Sequence, residues 1–202
     1  MEGLKLARVN DDVYIATEPI VRFDQWAVNF VREQALRSPL GRARICAHRG
    51  HEDPVHEMLI GISDASYVRP HRHEGKSESF HLVDGEVDVV ILSDAGAIED
   101  VITLGKQASF YYRLDTPRYH TLLLDSPVLI IHETTKGPFD RQHTRWAPFS
   151  PVEQTTPAAR REAAAYLGQL RREVSAWKAT THSLSPSAVG ALACAVGVDG
   201  TA

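Results

Sequence analysis

Cysteine is nearly absent. Cys46 and Cys194 are the only two in 202 residues. They stand far apart and form no CxxC pair, which excludes a disulfide framework or a thiolate zinc site as the basis of the fold. Long apolar runs are missing too, and no stretch approaches the roughly 20 residues that span a bilayer. The first residues, MEGLKLARVNDDVYIATEPI, carry Asp11, Asp12 and Glu18 and hold no apolar segment of signal-peptide length. A reducing cytoplasm is the expected location. Positive charge is not in excess: 22 Lys and Arg stand against 26 Asp and Glu, for a net charge of -4. No electrostatic footprint for nucleic acid or an anionic membrane results. GxSxG, Walker, GxGxxG and zinc-finger patterns are lacking, and so are internal repeats.

What remains is an ordinary globular composition, 43% hydrophobic and 24% charged. This length suits one domain with a substantial core. Residues 1–42 read as an N-terminal extension with a strand at 13–16 and an amphipathic helix at 25–37. Trp26, Val28, Phe30, Val31 and Leu36 recur there at helical spacing, and Ser38-Pro39-Leu40-Gly41 ends the helix. From 43 to 150 the period falls to two. ARICAH, HEMLIGI, YVRPHRH, ESFHLVDGEVDVVIL, DVITL, FYYRL and HTLLLDSPVLIIHET are short strand candidates separated by Gly, Pro, Asp and Ser. That is the pattern of an all-β sandwich or barrel. Hairpins are expected at 94–96 and 125–127. Residues 151–178 read as a C-terminal helix packed on the barrel, opened by Pro157. Its stripe would be Ala164, Leu167, Leu170, Val174 and Trp177, with Arg160, Arg161, Arg171 and Arg172 on a solvated face. Residues 179–202 are expected to form a tail without fixed structure.

Histidine carries the chemistry. In Pro70-His71-Arg72-His73, residues two apart on a strand share a side, so His71 and His73 can bite one metal ion. A short loop then brings Glu78 to the start of the next strand. Two His and a carboxylate on one side leave other metal positions open, as in non-haem iron and related sites. His120 starts a later strand and is the expected fourth ligand; the bland alternative is a turn-capping His. If the 125–127 hairpin is symmetric about Ser126, 120 pairs with 132, and the two His look the same way. His132 would then be a pocket wall, proton shuttle or extra ligand, against an ordinary strand His. Glu133 and His81 should face away by alternation. Arg69 shares parity with His71 and His73. It either meets a carboxylate or phosphate of the substrate or lies at the rim with its head in water. Lys76 and Tyr67 are further candidates to touch substrate, with a solvated loop Lys and a core Tyr as the alternatives. His48, His51, His56, His143 and His182 have no partner at ligand spacing.

The same residues carry a family resemblance. HxH, four residues, Glu, six residues, Gly (His71, His73, Glu78, Gly85) resembles the first cupin motif. Pro117 followed by His120 resembles a shortened second motif. Similarity is closer to WbuC-type cupin metalloproteins, through SPLGRARICAH (38–48), DPVHEMLI (53–60), SYVRPHRHEGKSESFHLVDGEVDVVI (66–91), FYYRL (110–114), YHTL (119–122) and HETTKGPF (132–139). It covers roughly residues 26 to 170. Ala65, Arg118 and Leu124 depart from general cupin motif positions but leave the ligand set unchanged. The resemblance implies an all-β cupin double-stranded β-helix, a jelly-roll-like antiparallel barrel with an N-terminal and a C-terminal helix. One divalent metal ion (iron, manganese, nickel, cobalt or zinc) would be held by His71, His73, Glu78 and His120. It further implies a homodimer and an association with surface-polysaccharide (lipopolysaccharide) biosynthesis.

Two function classes follow. One is a metal-dependent enzyme acting on a small polar molecule, a sugar, nucleotide-sugar or organic acid, by oxidative (dioxygenase-like) or isomerase/epimerase chemistry. The other is a non-catalytic module that holds a metal or small ligand. A weaker third is an assembly factor in a polysaccharide pathway, which an exposed apolar patch would signal.

Overall fold

The computed structural model describes residues 4–153 and 156–183. β1 (Leu6–Arg8), β2 (Val13–Ala16) and β3 (Arg42–Cys46) extend one edge of the first sheet. The barrel strands follow: β4 (Val55–Ser63), β5 (His71–His73), β6 (Glu78–Asp84), β7 (Val87–Leu92), β8 (Ile98–Leu104), β9 (Tyr111–Leu114), β10 (Tyr119–Leu124) and β11 (Val128–Lys136). β12 (Thr144–Trp146) adds to β5. The first sheet runs β4-β11-β6-β9 beyond its edge strands, and the second runs β5-β10-β7-β8. This order is two interlocked Greek keys, a jelly roll. The two sheets form the antiparallel double-stranded barrel that the strand pattern predicts.

Most connections cross from one sheet to the other. Residues 94–96 do close a hairpin between β7 and β8, with Ser93 N donating to Ala97 O at 2.9 Å. Residues 125–127 do not. β10 pairs with β5 and β7, and β11 pairs with β4 and β6. The hairpin read there from sequence is a sheet-to-sheet crossover.

Three apolar clusters explain the strand sequences. Val87, Val89, Leu122, Leu124, Leu129 and Ile131 meet inside the barrel. Leu59, Val128 and Ile130 point the other way, toward the helix at Gln25–Arg37 (α1). Val90, Leu92, Tyr119 and Leu123 face the helix at Pro157–Ser183 (α2). Strands covered on both faces lose their polar alternation, so β7 and β10 are buried throughout.

Asp24 caps α1 by accepting from Ala27 N at 3.2 Å. The buried stripe is Ala27, Val31 and Ala35; of the expected residues Val31 is in it and Val28 and Phe30 pack half-buried beside it, while Trp26 and Leu36 are 42% and 60% exposed. Small residues win because the helix lies close on β4. A Cβ at Gly61 would come within 2.6 Å of Val31 O, so larger side chains would hold the two apart.

α2 begins where Thr156 Oγ1 accepts from Ala159 N at 3.1 Å. Its buried positions are Ala159, Ala163, Leu170 and Val174, while Ala164 is exposed, so the stripe is shifted at its start. The helix continues past 178 to Ser183, with the Thr181 hydroxyl donating back to Trp177 O at 2.8 Å. The rest of the expected tail, 184–202, lies outside the described residues. Lys178 Nζ donates to both oxygens of Asp88 at 2.6 and 2.7 Å, and Thr103 Oγ1 donates to Asp88 at 2.7 Å. Asp88 is buried on the outer face of β7. Lys178→Met should therefore cost about 2 kcal/mol by stranding this carboxylate, a fall in Tm of roughly 4–8 °C. Hydrogen exchange should speed up over α2 and not in the barrel. No helix among the described residues is long and apolar enough to cross a membrane.

Candidate metal centre

Three strands and a turn assemble the site. Residues 71 and 73 lie two apart on β5 and turn inward together. Gly75, at φ 67°, lets the chain turn from β5 into β6. Glu78 then enters at the first position of β6, on the same inward face as Phe80. Gly85 ends that strand at φ 97°, where a Cβ would meet Val128 O at 2.7 Å. His120 arrives from β10, directly paired with His71, and paired residues share a face. The ligand atoms of His71, His73, Glu78 and His120 all lie within 4.8 Å of one another. This group could hold a metal ion.

The donor chemistry fits a divalent cation. His71 Nδ1 lies 2.8 Å from Arg69 O, and His120 Nδ1 lies 3.1 Å from Arg118 O. A carbonyl can only accept, so each Nδ1 carries the proton and each Nε2 presents a lone pair. The Thr144 hydroxyl is 3.2 Å from His73 Nδ1 and steadies the third ring. His120 Nε2 stands 2.8 Å from Glu78 Oε1, and His73 Nε2 stands 3.2 Å from Glu78 Oε2. Yet the buried His120 Nε2 makes no aligned hydrogen bond. Donor atoms gathered this closely are of the kind that can share one ion. Tyr112 fixes the carboxylate by donating to Glu78 Oε1 at 2.9 Å.

Electrostatics in the metal-free pocket follow from burial and pairing. Burial pushes His71 down to about 3, with His120 adding to the effect. Burial alone would raise Glu78, but His120 overrides it and holds the carboxyl well below its usual range. Burial likewise opposes charge on His120, and Glu78 overrides that to raise it. Burial and then Glu78 push the Tyr112 phenol far up.

Other expected residues lie elsewhere. His132 pairs with His81 on the outer face of the first sheet, 6.2 Å from the Phe23 ring. Its expected place beside the pocket depended on a β10–β11 pairing that the topology lacks. Glu133 takes the inward position instead, between Met58 and Phe80 in register. Burial and Glu78 raise Glu133 to about 8. It shares parity with Leu129 and Ile131, both in the inner core, but Val128 and Ile130 are equally apolar, so the sequence does not reveal which parity faces in. His81 faces out, as alternation predicts, beside Phe110 and Tyr111. Arg69 spends its guanidinium on Ser150 Oγ at 3.2 Å and Ala147 O at 3.3 Å. Tyr67 is buried and donates to Pro151 O at 3.1 Å, so its hydroxyl ties down the chain leading to α2. Lys76 lies 5.5 Å over the Phe139 ring.

Comparisons with known proteins add a frame. A family model described as a domain of unknown function (DUF6016) matches residues 23–104, which include His71, His73 and Glu78. No curated protein matches the chain. Among solved structures, protein SO0799 from Shewanella oneidensis is similar at TM-score 0.46 and 8% identity, over 54% of this chain and 75% of that one. Oxalate decarboxylase from Bacillus subtilis is similar at TM-score 0.39 and 12% identity, over 47% of this chain and 24% of that one. The Cnp3 cupin domain of Schizosaccharomyces pombe gives TM-score 0.38 and 9% identity, over 48% and 64%. At these identities the likeness concerns fold alone, and the chemistry is read from this chain's own residues.

Proposed function

We propose that this chain is a metal-dependent enzyme acting on a small polar molecule, with His71, His73, Glu78 and His120 holding one divalent ion. The observation that carries it is the convergence of three anchored imidazoles and one carboxylate, with the buried His120 Nε2 left without an aligned partner. Such an ion supplies Lewis-acid polarisation or, if redox-active, oxygen chemistry. The chain's own groups do the rest. Tyr112 and the Arg69 and Arg118 carbonyls orient the ligands. Glu133, inward and close to Glu78, is the carboxyl placed to hold or pass a proton, the part the sequence suggested for His132. Resemblance to WbuC-type proteins directs the substrate search to surface-polysaccharide precursors. It also implies a homodimer, which sedimentation velocity would test.

Metal content of tag-free protein purified without chelator tests the core of this reading. One ion per chain is expected, lost in the His73→Ala, Glu78→Ala double variant. Iron would favour oxidative chemistry, checked by oxygen uptake with candidate sugars and acids. Zinc, nickel or manganese would favour isomerase chemistry. No ion and no uptake on reconstitution would overturn it. A non-catalytic metal-holding module draws support from Arg69 and His132, since both have other tasks than lining the site. Absence of turnover by fully loaded protein would favour it.

A further inference from the structure

Two of the four ligands ride on a strand that the barrel itself barely holds. β5 is three residues long and meets β10 at one register pair, His120 with His71. β12 supplies three more: Thr144 with His73, Arg145 with Arg72 and Trp146 with His71. Both ends of this added strand are tied down. Glu74 N donates to His143 O at 2.8 Å, and Ala147 N donates to Pro70 O at 2.9 Å. The Arg69 guanidinium also donates to Ala147 O at 3.3 Å. Paired residues share a face, so Thr144 and Trp146 lie on the ligand side, with Trp146 5.6 Å from the His71 ring.

The three imidazoles are not held alike. His71 and His120 each set Nδ1 against a backbone carbonyl, which accepts only. Each of those rings is thereby fixed as the Nδ1–H tautomer. His73 has the Thr144 hydroxyl there instead, at 3.2 Å. A hydroxyl both donates and accepts, so it fits either tautomer of His73. The opposite ring nitrogen shows why that matters. His73 Nε2 faces Glu78 Oε2 at 3.2 Å. Without an ion, a proton on Nε2 suits that carboxylate oxygen, and Nδ1 then accepts from the hydroxyl. With an ion, Nε2 must offer its lone pair, and Nδ1–H then donates to the hydroxyl.

We propose that Thr144 is the positioning residue of His73, and that its hydroxyl lets this one ligand change tautomer when the ion binds. One proton leaves Nε2 and one is taken up at Nδ1, so the ring stays neutral and releases no net proton. β12 is the strap that brings the hydroxyl to the ring. The assignment rests on the metal-site reading above, and it places control of one ligand on a strand added to the barrel.

Zinc affinity by competition with a chelator, and long-range proton–nitrogen NMR of the histidine-labelled full chain, test it. The spectra are taken at about pH 8.5, above the ordinary histidine range. In wild type the His73 ring should change from the Nε2–H to the Nδ1–H pattern on zinc loading. His71 and His120 should show Nδ1–H in both states. His73→Gln, read without zinc, identifies the His73 signals. Thr144→Val should weaken zinc binding at least about tenfold, and Thr144→Ser should stay within about threefold of wild type. Thermal melts of the zinc-free variants show that they are folded. The wild-type tautomer comparison needs no Thr144 variant, so it decides even where Thr144→Val does not fold. The same His73 tautomer with and without zinc, equal affinity in wild type and Thr144→Val, or Thr144→Ser as weak as Thr144→Val would overturn the proposal. Wild-type chain that takes up no zinc would sink the metal reading and this assignment together. Bound zinc without a change of tautomer would sink this assignment alone.

Discussion

Glu78→Gln is expected to yield folded protein that no longer retains a metal ion. Glutamine keeps the side-chain shape, and its Oε1 can still accept from Tyr112, which now donates at 2.9 Å. What disappears is the negative charge and one strong ligand oxygen. Changes in groups that only orient metal ligands already cost about 10–100-fold in affinity, so loss of a ligand should cost at least about 100-fold. The readout is metal content after dialysis, with thermal melts on the same samples. For wild type, metal at 100 times its Kd should add about 2.7 kcal/mol, which raises Tm by roughly 5–10 °C in a chain of this size. The variant should show no such rise. Retention of one ion per chain by Glu78→Gln would show that the ligand set is wrong.

Raising the pH above 6.5 should separate the metal-free and metal-loaded proteins. In the metal-free pocket His120 is raised above its ordinary value, with Glu78 outweighing burial. A group with a raised folded pKa contributes stability that is full below its unfolded value and is lost as pH climbs through the folded one. Glu133, raised to about 8, acts in the same direction. Metal-free protein should therefore lose stability between pH 6.5 and about 8.5. His71, pushed down to about 3, acts with the opposite sign but in a lower window, between about 3 and 6.5. Metal binding needs His120 without its second proton, so affinity should rise with pH over the same upper range. The Tm difference between loaded and metal-free chain should widen from pH 6.5 to 8.5. A difference that stays constant or narrows would mean that His120 is not a ligand.

The ligand set was legible because its causes are local. His71 and His73 share a face through strand alternation, and Glu78 follows within one turn. No long-range contact is needed to bring those three together. His120 depended on more, since its pairing with His71 joins residues far apart in sequence. The motif resemblance pointed to it, but the symmetric hairpin used to orient it does not exist. That same hairpin misplaced His132. From Val128 to Ile131 every residue of β11 is buried, because the barrel core takes one face and α1 the other. With both faces apolar, the run gives no sign of which parity points inward, and Glu133 was read as facing out.

The helices divide in the same way. Helical spacing of apolar residues and the Ser38-Pro39-Leu40-Gly41 stop placed α1 at 25–37, where the structure has it. Which side it buries was not visible, because Trp26 and Leu36 outweigh Ala27 and Ala35 in any count of apolar residues. The close approach at Gly61 reverses that weight.

By itself, then, the sequence determined the all-β class, the helix positions and the local metal triad, through periodicity and spacing that act over a few residues. Tertiary structure decided which carboxyl enters the pocket, what holds Arg69 and Tyr67, and that Trp146 stands beside His71. Each of those depends on which strands cross between the sheets. That order is settled by the competition of many distant apolar faces for one core, which no short segment encodes.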